Sequence, residues 1–287
     1  MRFLITAGVL LSALALNAQA VGDDLDVDAV RKEALGKWER FADFAGETYR
    51  LVKDVQEKEE TLTAYALTGE ATYQHKVKYE ITVENNLSIF TYWDFTVTIS
   101  EPAENAPAKD ARTRYLFRIK DGKWYQTSMF GESTGIPQLH VWQRPQMPPE
   151  VIKELNYFVG TWKTEGTTGK IKSRGHWSTK WSPDYHCLSI DTAYRSVGAE
   201  RGGHSTGLFG WDAKKREFVI HDFWSFNENY TSRWRVKSDS EWEGELVGVE
   251  DGKEFTTKVK VLKKSPAEFV YFSKNAAGEE IEVVFRK

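Results

Sequence analysis

The chain has 287 residues, a formal net charge of −3, 14% aromatic residues and one cysteine. An acidic balance argues against nucleic acid, which calls for a basic face. The lone Cys187 excludes an intrachain disulfide, so stability must come from a packed core, to which the aromatic side chains contribute heavily.

At the N-terminus, Arg2 precedes an apolar run from Phe3 to Leu16 and then Asn17-Ala18-Gln19-Ala20. This reads as a signal peptide over residues 1–20, cleaved after Ala20. The run is shorter than the roughly 20 residues a spanning helix needs, and Val21, not Cys, would begin the mature chain. Loss of Arg2 takes the charge to −4. A secreted or periplasmic protein with no membrane span is expected. Residues 21–28 are acidic and read as disordered.

Val30–Phe41 predicts a short helix, with Val30, Ala34, Leu35, Trp38 and Phe41 on one face. Gly46 then switches the chain to period two. Tyr73, His75, Val77, Tyr79, Ile81 and Val83 alternate with polar neighbours, as in a half-buried strand. Asn85-Asn86 marks a turn, and Leu87 to Ile99 form the next strand. A polar loop covers Glu101–Asp110. Tyr115, Phe117 and Ile119 lead into Asp121-Gly122, a strong hairpin signal, with Trp124-Tyr125 opening the return strand. Gln138–Trp142 predicts the last strand of this half.

Pro145-Gln146-Met147-Pro148-Pro149 reads as a linker. Glu150–Phe158 predicts a second short helix that ends at Gly160, and about nine short strands follow to Arg286. The stretch Leu155–Gly166, with helix tail, Gly160 and Trp162, has a weaker upstream copy at Ala42–Tyr49. Both halves therefore read as a short helix, a glycine, an aromatic and a meander. With no βαβ pattern, the fold class is all-β: two tandem antiparallel up-and-down β-barrels, each preceded by a short helix. The domains are residues 21–145 and 150–287.

Leu155-x-x-Phe158-Val159-Gly160-Thr161-Trp162, Gly207–Asp212 and Trp242-x-Gly244 resemble the calycin group of barrels. Within it they resemble an uncharacterised family of secreted bacterial lipocalin-like domains, over roughly residues 150–287. The resemblance implies the barrel, with a helix plugging one end, and assigns no reaction. Nitrobindin-like haem barrels also begin with Gly-x-Trp and continue it with Gly-x-Gly. Here Thr164 replaces the first of those glycines, and no His follows His221, although that group takes its haem ligand from near the C-terminus. No cofactor is expected.

Among the histidines, His176 shares a face with Lys172, Arg174 and Lys180 and is read as outward. His75, His186, His204 and His221 are read as inward, where an imidazole can ligate a metal, act as a base or simply hydrogen-bond in a core. His186, His204, His221 and Asp222 could converge on a metal, but no local His pair anchors such a site, so no metal is expected. Gly203-His204-Ser205-Thr206-Gly207 lacks the strand-to-helix context of a nucleophile elbow. Glu243 and Glu245 read as a solvated rim.

Aromatic lining suits a small, mainly apolar ligand. Trp162, Trp181, Trp211, Trp224, His221 and His204 are the residues expected to line it, with no catalytic residue assigned. The alternatives are a hydrolase or isomerase using an inward His with Asp222 or a Glu, and a structural envelope or interaction module with filled barrels.

Overall fold

The computed structural model describes residues 25–287, apart from 45, 101–110, 129–137, 199–201, 227 and 251. The signal segment, most of the acidic run and the 101–110 loop lie outside the described residues. Among the described residues, no helix is long and apolar enough to cross a membrane.

Two closed antiparallel barrels follow one another along the chain. Helix α1 (Val27–Ala34) leads into the first, built from β1 (Gly36–Phe44), β2 (Glu47–Val55), β3 (Glu59–Ala66), β4 (Ala71–Glu84), β5 (Leu87–Ile99), β6 (Thr113–Lys120), β7 (Lys123–Ser128) and β8 (Gln138–Gln143). Helix α2 (Pro149–Phe158) leads into the second, built from β9 (Gly160–Thr168), β10 (Ile171–Trp181), β11 (Leu188–Ser196), β12 (Gly202–Asp212) and β13 (Glu217–Trp224). It continues through β14 (Asn229–Ser238), β15 (Glu241–Glu250), β16 (Lys253–Ser265), β17 (Glu268–Lys274) and β18 (Glu280–Arg286). Every strand pairs with its sequence neighbours. The first ring closes where Glu39 of β1 meets Gln143 of β8. The second closes along β18 and β9, from Ile281 opposite Thr168 to Arg286 opposite Lys163. Among the described strands, closure gives each one a partner on both sides.

The first helix corrects the sequence reading. It ends at Ala34, and residues 36–44 are a strand rather than the rest of a helix. Asp26 caps it, accepting a hydrogen bond from the Asp28 N–H, and Gly36 ends it with φ +97°, a conformation that only glycine adopts without strain. Trp38 therefore belongs to a strand. The upstream copy of Gly-x-Trp is Gly36-Lys37-Trp38, not Ala42–Tyr49, which spans the β1–β2 connection.

The two copies do the same mechanical work. The Trp38 indole N–H donates to the Ala34 carbonyl at 2.8 Å, and the Trp162 indole N–H donates to the Phe158 carbonyl at 2.8 Å. Each bond spans four residues across a glycine of positive φ, Gly160 standing at +123°. A cation from the chain end of each barrel covers the indole. The Arg144 guanidinium lies 3.7 Å above the Trp38 ring and donates to the carbonyls of Glu33 and Leu35 at 2.8 Å. The Lys287 ammonium lies 4.5 Å above Trp162 and donates to the Tyr157 carbonyl at 3.3 Å. Such contacts each contribute about 0.5–2 kcal/mol.

In the second barrel the helix plug is itself large. Phe158 is fully buried and packs against Phe209, Trp242 and Phe269, with ring centroids 5.0–5.3 Å away. Lys263 pairs with Glu154 of the helix and stands 4.6 Å over the Trp242 ring. The matching position of the first barrel is Ala34, which is buried but brings no ring into the lumen.

Gly160→Ala should destabilise the protein by about 1–3 kcal/mol through backbone strain alone, because an added Cβ would make only an ordinary contact, 3.5 Å from the Lys287 side chain. Urea unfolding measures it, and a loss below about 0.5 kcal/mol would contradict a strained left-handed turn here.

Candidate functional site

The first barrel encloses charge. Leu51, Lys53 and Val55 alternate along β2 and share one face, so the middle side chain of an inward row is an ammonium. Lys53 is 1% exposed. Its Nζ donates to the Tyr115 hydroxyl at 3.0 Å and to Gln126 Oε1 at 2.8 Å, and lies 3.6 Å from the Glu60 carboxylate. Aromatic rings surround it: Trp124 at 4.5 Å, Trp142 at 4.7 Å, Tyr115 at 5.1 Å and Phe90 at 5.6 Å. The Arg40 guanidinium lies 5.2 Å from the centre of the same Trp142 ring.

Strand register brings these groups together. Trp124 of β7 faces Trp142 of β8, and Gln126 faces His140. Phe90 and Tyr115 are likewise paired, across β5 and β6, and their rings stack at 4.9 Å. Two indole N–H groups in this interior, those of Trp124 and Trp142, have no hydrogen-bond partner, whereas Glu60 Oε2 is held by Lys53 at ion-pair distance. Both indoles are buried, and leaving a buried donor unmade costs about 1–3 kcal/mol.

Burial sets the protonation of the cluster. It pushes the Lys53 ammonium below its usual range, Glu60 partly opposing this and Arg40 adding to it. Burial likewise raises the Glu60 carboxyl, against the pull of Lys53. His75, which hydrogen-bonds the Tyr73 hydroxyl at 3.1 Å, is pushed down to about 4 by burial and then by Lys53. His140 is also pushed down to about 4, by burial and then by Arg40 and Lys53. Both imidazoles are therefore neutral near pH 7. Beside the Lys53–Glu60 pair, the Trp124 and Trp142 N–H groups are donors without a partner, which suits an accepting group on a ligand.

Sequence reasoning missed Lys53 because a lysine in a strand is ordinarily read as solvated. The signal that could have found it is its parity with Leu51 and Val55. The inward reading of His75 agrees with its position.

In the second barrel the residues expected to line a ligand fall into three groups. Trp162 is a fully buried core residue at the plug, with its indole N–H satisfied. Trp181 and Trp211 are half-buried. Trp181 donates to Asn156 Oδ1 at 3.3 Å, and Trp211 packs against Phe218 at 4.9 Å. Trp224 stands apart from them, 5.4 Å from Tyr194 and 6.5 Å from Tyr230.

His204 and His221 correct the expectation of inward histidines, since both are exposed on the outer face. His204 Nε2 meets Asp191 at 2.9 Å and His221 Nδ1 meets Thr231 at 3.0 Å. The physical reason is register. Phe218 and Ile220 are buried, so Asp222 and Trp224 share their inward face and His221 takes the other. Likewise Gly203, Ser205 and Phe209 face in, which turns His204 out. Among the described residues, no group of three His, Cys, Asp or Glu side chains is placed to hold a metal ion.

No protein-family model and no curated protein matches the sequence. Solved structures similar to it include a redesigned β-barrel, mFAP0, bound to DFHBI, at 12% identity and a TM-score of 0.30 over 46% of this chain and 99% of that one. A fluorescence-activating β-barrel designed de novo is 15% identical, with a TM-score of 0.29 over 46% of this chain and 95% of that one. A protein of unknown function from the DUF3598 family of Nostoc punctiforme covers 92% of this chain and 99% of its own, at 12% identity and a TM-score of 0.23. These likenesses are too distant to carry an argument about function.

The buried groups predict opposite pH responses. His75 and His140, held near 4 against a usual 6.5, contribute stability that is present above pH 6.5 and lost as pH falls towards 4. Asp222, raised by burial from 3.8 to about 7, contributes stability that is present below 3.8 and lost as pH rises towards 7. Guanidinium unfolding between pH 4 and 7 should therefore show Asp222→Asn gaining on the wild type as pH rises. His75→Gln/His140→Gln should gain on it as pH falls.

Proposed function

We propose that this is an exported, lipocalin-like protein that binds a small ligand, and that the ligand sits in the first barrel with an acidic group against Lys53. Export rests on the N-terminal pattern of Arg2, the apolar run and Ala18-Gln19-Ala20. The lipocalin-like reading rests on a plugging helix, Gly-x-Trp and a covering cation, present in both halves. The ligand is mainly apolar and flat, because the anchoring ammonium is walled by indole and phenyl faces.

One observation carries the choice of barrel: two buried indole N–H groups without partners lie beside a buried ammonium. A carboxylate or similar acceptor would accept both unmade indole N–H bonds and lie against the charge of the Lys53 ammonium, whose own protons go to Tyr115, Gln126 and, at ion-pair distance, Glu60. The helix end of the second lumen, by contrast, is filled by Phe158 and the rings around it.

The test separates binding from folding. Lys53→Met alone should destabilise the protein by about 3–5 kcal/mol, because it leaves Glu60 buried and unpaired. Lys53→Met/Glu60→Gln removes both charges and should recover most of that loss. 1-Anilinonaphthalene-8-sulfonate, a flat aromatic anion, is the probe. Its Kd should rise at least tenfold in the double variant, and an unchanged Kd in a folded double variant would refute the assignment.

A further inference from the structure

The end of the second barrel away from the helix plug has an inward face unlike the plug end. Asp222 and Trp224 continue the inward face of β13 beyond Ile220. Across the ladder, Asp222 stands opposite Gly207 of β12 and Tyr230 of β14, and Trp224 stands opposite Ser205. Ser205 is fully buried and its hydroxyl has no partner, and Asp222 Oδ1 is buried without a donor. Among the described residues Asp222 forms no ion pair, and burial raises its carboxyl.

Three inward glycines let the side chains of this end lie close against the backbone. A Cβ on Gly207 would sit 2.2 Å from Asp222 Oδ1, one on Gly203 would sit 2.5 Å from the Tyr194 ring, and one on Gly248 would sit 2.5 Å from the Tyr230 ring. The carboxyl and the two phenol rings therefore lie flat on bare backbone. Phe255 and Trp224 extend the aromatic wall, 6.2 Å and 6.5 Å from Tyr230. At the rim, the Tyr230 hydroxyl lies 2.8 Å from Glu228 and 3.1 Å from Glu250, with one proton to donate between the two carboxylates, while Lys253 faces Glu250 across the ladder.

A buried carboxylate without a cation, set among aromatic faces, matches an ammonium group: the carboxylate takes its N–H bonds and the π-faces attract its charge. We propose that this end of the second barrel binds a protonated amine carrying a flat apolar group, with Asp222 as its counter-ion, the Ser205 hydroxyl as a hydrogen-bond partner, and Trp224, Tyr194 and Tyr230 as its walls. The site does not depend on the Lys53 cluster, which selects the opposite charge.

Calorimetric titration of the full chain with tryptamine, and with 3-ethylindole as the uncharged analogue of the same shape, tests this. Tryptamine should bind at least tenfold more tightly than 3-ethylindole to the wild type. Asp222→Asn, which is isosteric, should abolish that preference, and Trp224→Leu should weaken both probes while preserving it. Equal affinities or no binding in the wild type overturns the proposal without recourse to any variant. A preference that survives in Asp222→Asn overturns the role of the carboxylate.

Discussion

An indole N–H that reaches back four residues to a backbone carbonyl, across a glycine of positive φ, organises each half of this protein. The bond has the same length and spacing at Trp38 and at Trp162. It locks the turn from the preceding segment into the first strand, and so decides which face of that strand looks inward. Because side chains alternate and each strand pairs with the next, that one choice propagates around the whole ring. The cation over each indole comes from the last residues of the same barrel, so chain end and chain start are tied where the ring closes.

What differs is what each device admits. In the second barrel the carbonyl acceptor belongs to Phe158, whose ring occupies the plug end of the lumen amid Phe209, Trp242 and Phe269. Burying such a side chain contributes about 1.5–3 kcal/mol, and this end is organised for packing. In the first barrel the acceptor belongs to Ala34, and the interior holds Lys53, Glu60 and unpaired indole donors. Burying an ammonium costs several kcal/mol even after relaxation. Replacing such a buried pair by apolar residues is often neutral or stabilising, which supports the proposed role of the cluster in binding.

The barrels were legible from β4 onward, because Tyr73 to Val83 and the strands after Gly160 alternate cleanly. The start of the first barrel was not. Val30 to Phe41 carries helical spacing through Trp38, and only the backbone of Gly36 shows that the helix has already ended. The upstream Gly-x-Trp was hidden by that periodicity, and Phe44–Tyr49 stood in for it. Candidate residues fared unevenly for a related reason: tryptophan in a small barrel serves core and cavity alike, as Trp162 and Trp224 illustrate. His204 and His221 could have been turned outward by counting from Phe209 and Ile220. Lys53 was passed over because composition treats lysine as solvent-facing, whereas its row, Leu51 and Val55, marked it as buried.

On the proposed reading, the Lys53 cluster holds a ligand. Native mass spectrometry of the protein purified from its own host, beside Lys53→Met/Glu60→Gln purified in the same way, tests it most directly. A small molecule should be retained by the wild type and be absent from the folded variant. A wild type that carries no bound mass, or a variant that retains the same mass, would contradict it.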